Sequence, residues 1–342
     1  DHRDLHSFPH RLSSALAAKR WFLIAVAVTL AFRFWLAAWL PLTGDEAYFA
    51  FWGEIPAAGY YDHPPLVGWM LAGLMQVSHA AWWLRLPQIL LPAAIAALMV
   101  RLAAPAAGAT PAYLAALGFL VAPVQVLNVA VTTDTPLLAF SFLSVAAFVL
   151  GVRRDSLAWC AAAGAMLGLA ILSKFFAAPL AAAYLVYVLV TPSWRRRWAA
   201  LAVIVATSLP FALYLVWWNY AHCWANVMFN LYIRHGDAGL AWYKPLKFAW
   251  FLLYATSPLL VWQLARSAPA VRASLRDRPV RLLWIACAVP FALFAALSPV
   301  KNIGLHWLFA FVPPLFLAAA FVLDSARLRA GAVFLAAVSA LH

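Results

Sequence analysis

The stretch Trp21–Leu40, WFLIAVAVTLAFRFWLAAWL, decides the fold. Arg33 is its one charge, and it is as long as the roughly 20 residues a helix needs to cross about 30 Å of hydrocarbon. It follows Arg11, Lys19 and Arg20. It exceeds the roughly 7–15 apolar residues of a signal peptide and lacks a convincing cleavage site, so it reads as an uncleaved first span. Comparable runs recur at about 82–103, 111–127, 135–151, 157–173, 175–191, 198–217, 246–265, 282–298 and 306–323, with an incomplete one from 331, giving ten or eleven expected spans. Hydrophobic residues make up 67% of the chain and charged residues 10%, with a mean hydropathy of +0.87, which excludes a soluble globular domain. A transmembrane β-barrel would show short alternating segments instead, so an all-α polytopic membrane protein is expected.

The formal charge of +13 does not form a basic stripe for nucleic acid, because Lys and Arg fall in short clusters between apolar runs. With the N-terminus inside, seventeen of the 24 basic residues fall on the inner side. The outer side receives six (Arg85, Lys174, Arg234, Lys244, Lys247 and Lys301), and Arg33 stays within a span. The positive-inside rule explains that bias. Cys160, Cys223 and Cys287 have no CxxC spacing and read as packing residues, without a disulfide framework. The chain reads as one integral membrane domain over 1–342. It begins without Met and stops within an apolar run, which leaves residues beyond either end open.

On the outer side lies GDEAYFAFWGEIPAAGYYDHPPLVGW, residues 44–69, which carries four of the 11 acidic residues. The first outer loop, 44–81, is expected to hold two amphipathic surface helices, the second opening at Pro64-Pro65. A second large outer loop, 219–245, mixes aromatic residues with Arg234, His235 and Lys244. Asp45, with Glu46 beside it, suits a general base accepting a proton from an attacking hydroxyl, or equally a helix cap. Asp134, in TTDTPLL, reads as a cap or as a second site carboxylate. Lys174 lies between two apolar runs, an expensive position unless it snorkels or meets an anion. Lys174, Arg234, Lys247 and Lys301 are candidates for an anionic headgroup such as a lipid phosphate, or for contact with ordinary anionic lipids. His63, His222, His235 and His306 share the outer side without ligand spacing, so no metal site is expected.

Taken in order, Gly44-Asp45-Glu46-Ala47-Tyr48, Gly59-Tyr60-Tyr61-Asp62-His63-Pro64-Pro65-Leu66, Thr133-Asp134-Thr135-Pro136-Leu137, Leu172-Ser173-Lys174-Phe175, Trp218 to Trp224, and Ser298-Pro299 through His306-Trp307 resemble the bacterial membrane glycosyltransferases of the GT-C class. The nearest branch includes dolichyl-phosphate-mannose protein mannosyltransferases and lipid A aminoarabinose transferases. The resemblance implies a GT-C bundle in the bacterial inner membrane, with its site facing the periplasm. It implies an inverting transfer of sugar from a polyprenyl-phosphate donor to a lipid, glycan or protein acceptor, with Asp45 as base. Tyr61, Asp62, His63, Asp134, His222 and His306 are expected to line the site. No cofactor is expected, although some lipid A transferases bind a metal through outer-face carboxylate and His ligands, which leaves a divalent ion open. The stretch shows no soluble C-terminal domain, so acceptor recognition would use the loops 44–81 and 219–245, or a partner. The competing reading is a transporter or flippase for a lipid-linked sugar or small molecule. It calls for ionisable residues at mid-span and inverted repeats, of which the sequence shows only Arg33.

Overall fold

The computed structural model describes residues 2–236 and 238–342, with side chains from Ser13 onward apart from His235. The side chains of Arg3, Arg11 and His235 therefore lie outside what is described. Among the described residues no strand occurs, and every apolar run named above is mainly helical. As helices the expected spans differ in length. Five helices, Ser13–Trp39, Ala81–Ala107, Asp134–Arg154, Arg197–Ala221 and Arg278–Leu297, are long and apolar enough to cross a membrane. A sixth is the pair Tyr243–Thr256 and Pro258–Arg266, bent by 86°. Ala109–Leu120, Leu157–Ser173, Phe175–Leu189 and Leu305–Ala319 are apolar but shorter.

Local chemistry sets these breaks. Ser257 sits at φ +78°, and Pro258 cannot donate to the preceding turn, so the helix bends there. Pro123 opens a separate four-residue helix, Pro123–Val126, just past the end of Ala109–Leu120. Arg33, buried within the first long helix, repairs a related defect. Pro92 removes the N–H that would meet the Gln88 carbonyl, and the Arg33 guanidinium donates to that carbonyl and to those of Ile89 and Gln125. A mid-span charge is thus spent on backbone satisfaction, which accounts for it without a transport pathway.

The helix Asp134–Arg154 lies at the centre, packed against Leu157–Ser173, Arg278–Leu297 and the 3-10 turn Leu305–Phe311. Its 21 residues span about 30 Å, the thickness of the hydrocarbon. Asp134 stands in its first turn and Arg153 and Arg154 in its last, both favourable to the helix dipole. One rod therefore holds an acid at one end and two arginines at the other. Leu157–Ser173 meets Arg197–Ala221 through Gly164 and Gly168, where an added Cβ would overlap Ile204, Thr207 and Phe211. The two expected surface helices are Gly44–Glu54 and Leu66–Met75. They bury Phe49, Trp52, Val67, Leu71 and Met75 against each other in a small core of their own.

Candidate active site

The helix Gly44–Glu54 starts on Thr43, whose hydroxyl accepts from the Glu46 N–H while the Glu46 carboxylate accepts from the Thr43 N–H. The cap is therefore Thr43, and Asp45 is left free to face outward from the first turn. Glu46, one residue on, points the other way and is 1% exposed. It is gripped by Arg85, which is equally buried and donates to both of its carboxylate oxygens at 2.7 Å. The remaining Arg85 donors reach the carbonyls of Ala37, Leu40 and Pro41 at 2.7–2.8 Å, so all five are used. The Val131 N–H also donates to Glu46 at 3.1 Å. Burial opposes ionisation of Glu46, but Arg85 and the two backbone donors outweigh it and hold the carboxyl below its usual range. Pairing Glu46 with Asp45 as a catalytic acid is thus corrected: Glu46 clamps the exit of the first span to the following helices.

Asp45 opens onto a cavity of about 580 Å³ that also reaches Asp62, His63, Asp134, Lys174, Arg234 and His306. Six separate segments supply them, which brings together residues up to 261 positions apart (45 to 306). Asp134 and Lys174 form a pair, with Nζ at 2.8 and 2.9 Å from the two carboxylate oxygens. Lys174 caps the C-terminus of Leu157–Ser173, and its ammonium lies 5.1 Å from the Phe176 ring centroid. Burial draws its pKa down, and the Asp134 carboxylate opposes that. Asp62 accepts from the Tyr48 hydroxyl at 3.2 Å, yet burial still raises its carboxyl. Burial also pushes the His63 imidazole down to about 3, with Lys174 and Arg234 adding to the effect, so it is neutral.

The remaining candidates lie elsewhere. Lys247 is exposed outside the cavity, over the Phe251 ring at 5.5 Å, where an aromatic face and solvent serve it better than a buried phosphate would. Lys301 is buried behind the wall and donates to the Arg234 carbonyl at 2.5 Å, so it holds backbone. Tyr61 turns away and packs edge-on against Phe229, which does line the cavity. His222 stacks on Trp218 at 4.3 Å, its Nδ1 2.7 Å from that residue's own carbonyl oxygen. Conversely, Tyr48, Asn128, Thr132 and Thr133 line the cavity and were not anticipated. Neutral hydroxyls and amides carry little sequence signal; only their proximity to Asp134 and Asp45 hinted at them. Among the described residues, no three His, Cys, Asp or Glu side chains group closely enough to cage a metal ion. The three cysteines are unpaired thiols, two buried and Cys223 exposed.

The fold aligns with the crystal structure of ArnT from Cupriavidus metallidurans in the apo state, at a TM-score of 0.68 and 22% identity over 89% of this chain and 59% of that one. The same protein bound to undecaprenyl phosphate aligns equally well, at 0.68 and 23% over 88% and 59%. The chain has the fold of this glycosyltransferase-type structure, a GT-C fold. The family model of the dolichyl-phosphate-mannose-protein mannosyltransferases matches residues 62–228 of this chain. A lipid A galacturonosyltransferase, RgtD, of Rhizobium johnstonii is 25% identical over 275 residues, 77% of this chain and 58% of the relative. The chain thus spans under two thirds of the length of these relatives.

Proposed function

We propose that this GT-C chain transfers a sugar from a polyprenyl-phosphate donor to an acceptor hydroxyl on the periplasmic side of the bacterial inner membrane. The observation that carries this is the single outer-face cavity in which Asp45, the Asp134–Lys174 pair, Asp62, His63, His306 and Arg234 converge. Its placement at the outer ends of the helices, with Arg153 and Arg154 at the opposite end of the rod, supports the periplasmic orientation. The relative bound to undecaprenyl phosphate supports a polyprenyl-phosphate donor, and the galacturonosyltransferase relative supports sugar transfer. Lipid A, another glycan and a protein stand as acceptor classes.

In this reading the acceptor oxygen attacks the anomeric carbon from the face opposite the phosphate. The bond from that carbon to the phosphate oxygen breaks, which inverts the centre. Asp45 takes the hydroxyl proton, and polyprenyl phosphate departs with one more negative charge than the donor carried. Arg234 meets that charge, together with the one Lys174 N–H that Asp134 does not occupy. Tyr48, Asn128, Thr132 and Thr133 offer neutral hydrogen-bonding groups to sugar hydroxyls, with Asp62 and neutral His63 beside them. Loss of the base should cost roughly 10²–10⁴ in rate.

The test is release of labelled sugar from synthetic polyprenyl-phosphate donors by purified protein, wild type beside Asp45→Asn, with and without chelator. Consumption of a donor that depends on Asp45 sustains the reading, and the chelator arm shows whether a divalent ion takes part. An Asp45→Asn protein with full transfer would sink Asp45 as base.

A further inference from the structure

Three residues of the second outer loop form a ladder at a helical spacing of four: Asn226, Asn230 and Arg234. The segment begins where Cys223 and Trp224, both left-handed at φ +52° and +58°, break the long helix ending at Ala221 and start the short one Ala225–Leu231. Asn226 is 2% exposed, and its side-chain amide donates to the Tyr60 carbonyl at 3.0 Å. One turn on, the Asn230 amide donates to the Asp62 carbonyl at 3.0 Å and back to Asn226, at 3.0 Å to its carbonyl and 3.2 Å to its side-chain oxygen. One turn further, the Arg234 guanidinium donates to the Asn230 side-chain oxygen at 3.4 Å.

The two outer loops are therefore in register: rungs four residues apart on one meet carbonyls two residues apart on the other. The receiving strip is tied to other elements as well. Tyr60 stacks on Trp52 with ring centroids 3.8 Å apart and donates to the Trp52 carbonyl, and Tyr214 donates to the Ala58 carbonyl at 2.7 Å. Beside it, Gly59 lies so close to Trp218 that a Cβ would overlap the indole. Neither asparagine lines the cavity, yet Asn230 is bonded to Asp62 and Arg234, which do, and to Asn226.

We infer that Asn226 and Asn230 are positioning residues that fix Arg234 against the Asp62–His63 strip, so that cation and strip face one cavity at a set separation. The inference rests on the proposed donor site, because Arg234 is taken there to meet the lipid phosphate. Asparagine suits the task. Its side chain donates and accepts at once, so Asn230 can hold the Asp62 carbonyl through its amide N–H and the Arg234 guanidinium through its oxygen. Aspartate would keep the second contact and lose the first; alanine loses both.

The test measures two quantities on purified wild type, Asn230→Ala, Asn230→Asp, Arg234→Ala and the double variant Asn230→Ala/Arg234→Ala. The first is amide hydrogen exchange across residues 57–63 and 225–234. The second is the affinity for a short-chain polyprenyl phosphate without sugar, followed by quenching of tryptophan fluorescence. Faster exchange in both segments of Asn230→Ala, with the rest of the chain unchanged, is the expected signature of a broken latch. Affinity should fall about tenfold or more in Asn230→Ala, with little further loss when Arg234→Ala is added, since both act through one guanidinium. Asn230→Asp should loosen 57–63 while keeping most of the affinity. Unchanged exchange in 57–63 of Asn230→Ala overturns the latch. Losses that multiply in the double variant overturn the claim that Asn230 acts through Arg234. Faster exchange with no loss of affinity in either Asn230→Ala or Arg234→Ala instead overturns Arg234 as the phosphate cation, which is failure of the proposed site rather than of the register.

Discussion

Asp45 and Glu46 are adjacent carboxylates for which the structure predicts opposite phenotypes. Glu46→Gln keeps the shape of the side chain and removes the charge opposite Arg85. The guanidinium remains 1% exposed, still bonded to three carbonyls, but it loses its counter-ion. Removing one partner of a buried pair costs about 3–5 kcal/mol. That is a large part of the roughly 5–15 kcal/mol by which folded domains exceed their unfolded states. It corresponds to a fall in unfolding temperature on the order of 10 °C. Asp45→Asn changes a side chain that is exposed to the cavity and caps nothing, since Thr43 is the cap, so its unfolding temperature should stay within about 2 °C of wild type. Thermal unfolding in one detergent, followed by intrinsic fluorescence alongside transfer from a lipid-linked donor, separates the two. Glu46→Gln should unfold early, and Asp45→Asn should hold its fold and lose turnover. A Glu46→Gln protein as stable as wild type but without turnover would refute the division of labour, and so would an Asp45→Asn protein that unfolds as early as Glu46→Gln.

Three further outcomes follow from the same contacts. Lys174→Met should lower stability by about 3 kcal/mol, because the Asp134 carboxylate, 11% exposed, loses its ammonium; adding Asp134→Asn should restore much of that in a melting curve without restoring transfer. Gly164→Val should give little folded protein on size-exclusion chromatography, since its side chain would meet the Ile204 backbone, which cannot step aside. The third concerns pH. The His63 imidazole stays neutral in the folded state down to about 3, whereas in the unfolded chain it takes up a proton below its usual 6.5, so folding loses up to about 1.4 kcal/mol per pH unit on acidification between those values. Unfolding midpoints at pH 7 and pH 5 should differ more in wild type than in His63→Phe, and equal differences would refute this.

The bundle was legible because apolar runs long enough to cross hydrocarbon leave the backbone no choice but a helix. What the runs do not encode is where a helix stops inside the apolar layer. Ser257-Pro258 and the turn before Pro123 lie inside runs apolar enough on average to read as continuous, yet they bend or shorten the helices. Most of the cavity was legible for an energetic reason: in a chain with so few charges, Asp45, Asp62, Asp134, Lys174 and Arg234 each had to find water or a partner, and the cavity supplies both. Scarcity does not give direction, however. Successive residues on a helix point about 100° apart, so Asp45 faces the cavity while Glu46 is sealed against Arg85, and the acidic pair alone cannot say which does which.

The same limit separates two lysines of the same charge, Lys247 in the helix Tyr243–Thr256 and Lys301 in the segment after Leu297. Lys247 extends over Phe251 at the surface, where a cation–π contact and solvent satisfy it. Lys301 is 6% exposed and its ammonium holds the Arg234 carbonyl, so it acts on the cavity through the backbone of the residue that faces it. Lys247→Ala should therefore leave donor affinity within about twofold of wild type, as exposed charges away from a site usually do. Lys301→Met takes a charge-assisted bond, worth about 1.5–3 kcal/mol, from the base of Arg234, and the KM for the donor should rise by roughly tenfold or more while the KM for the acceptor holds. If the two substitutions have equal effects on the donor KM, the loop charges act as a diffuse field on an anionic lipid, and the assignment of Arg234 as a placed cation fails with them.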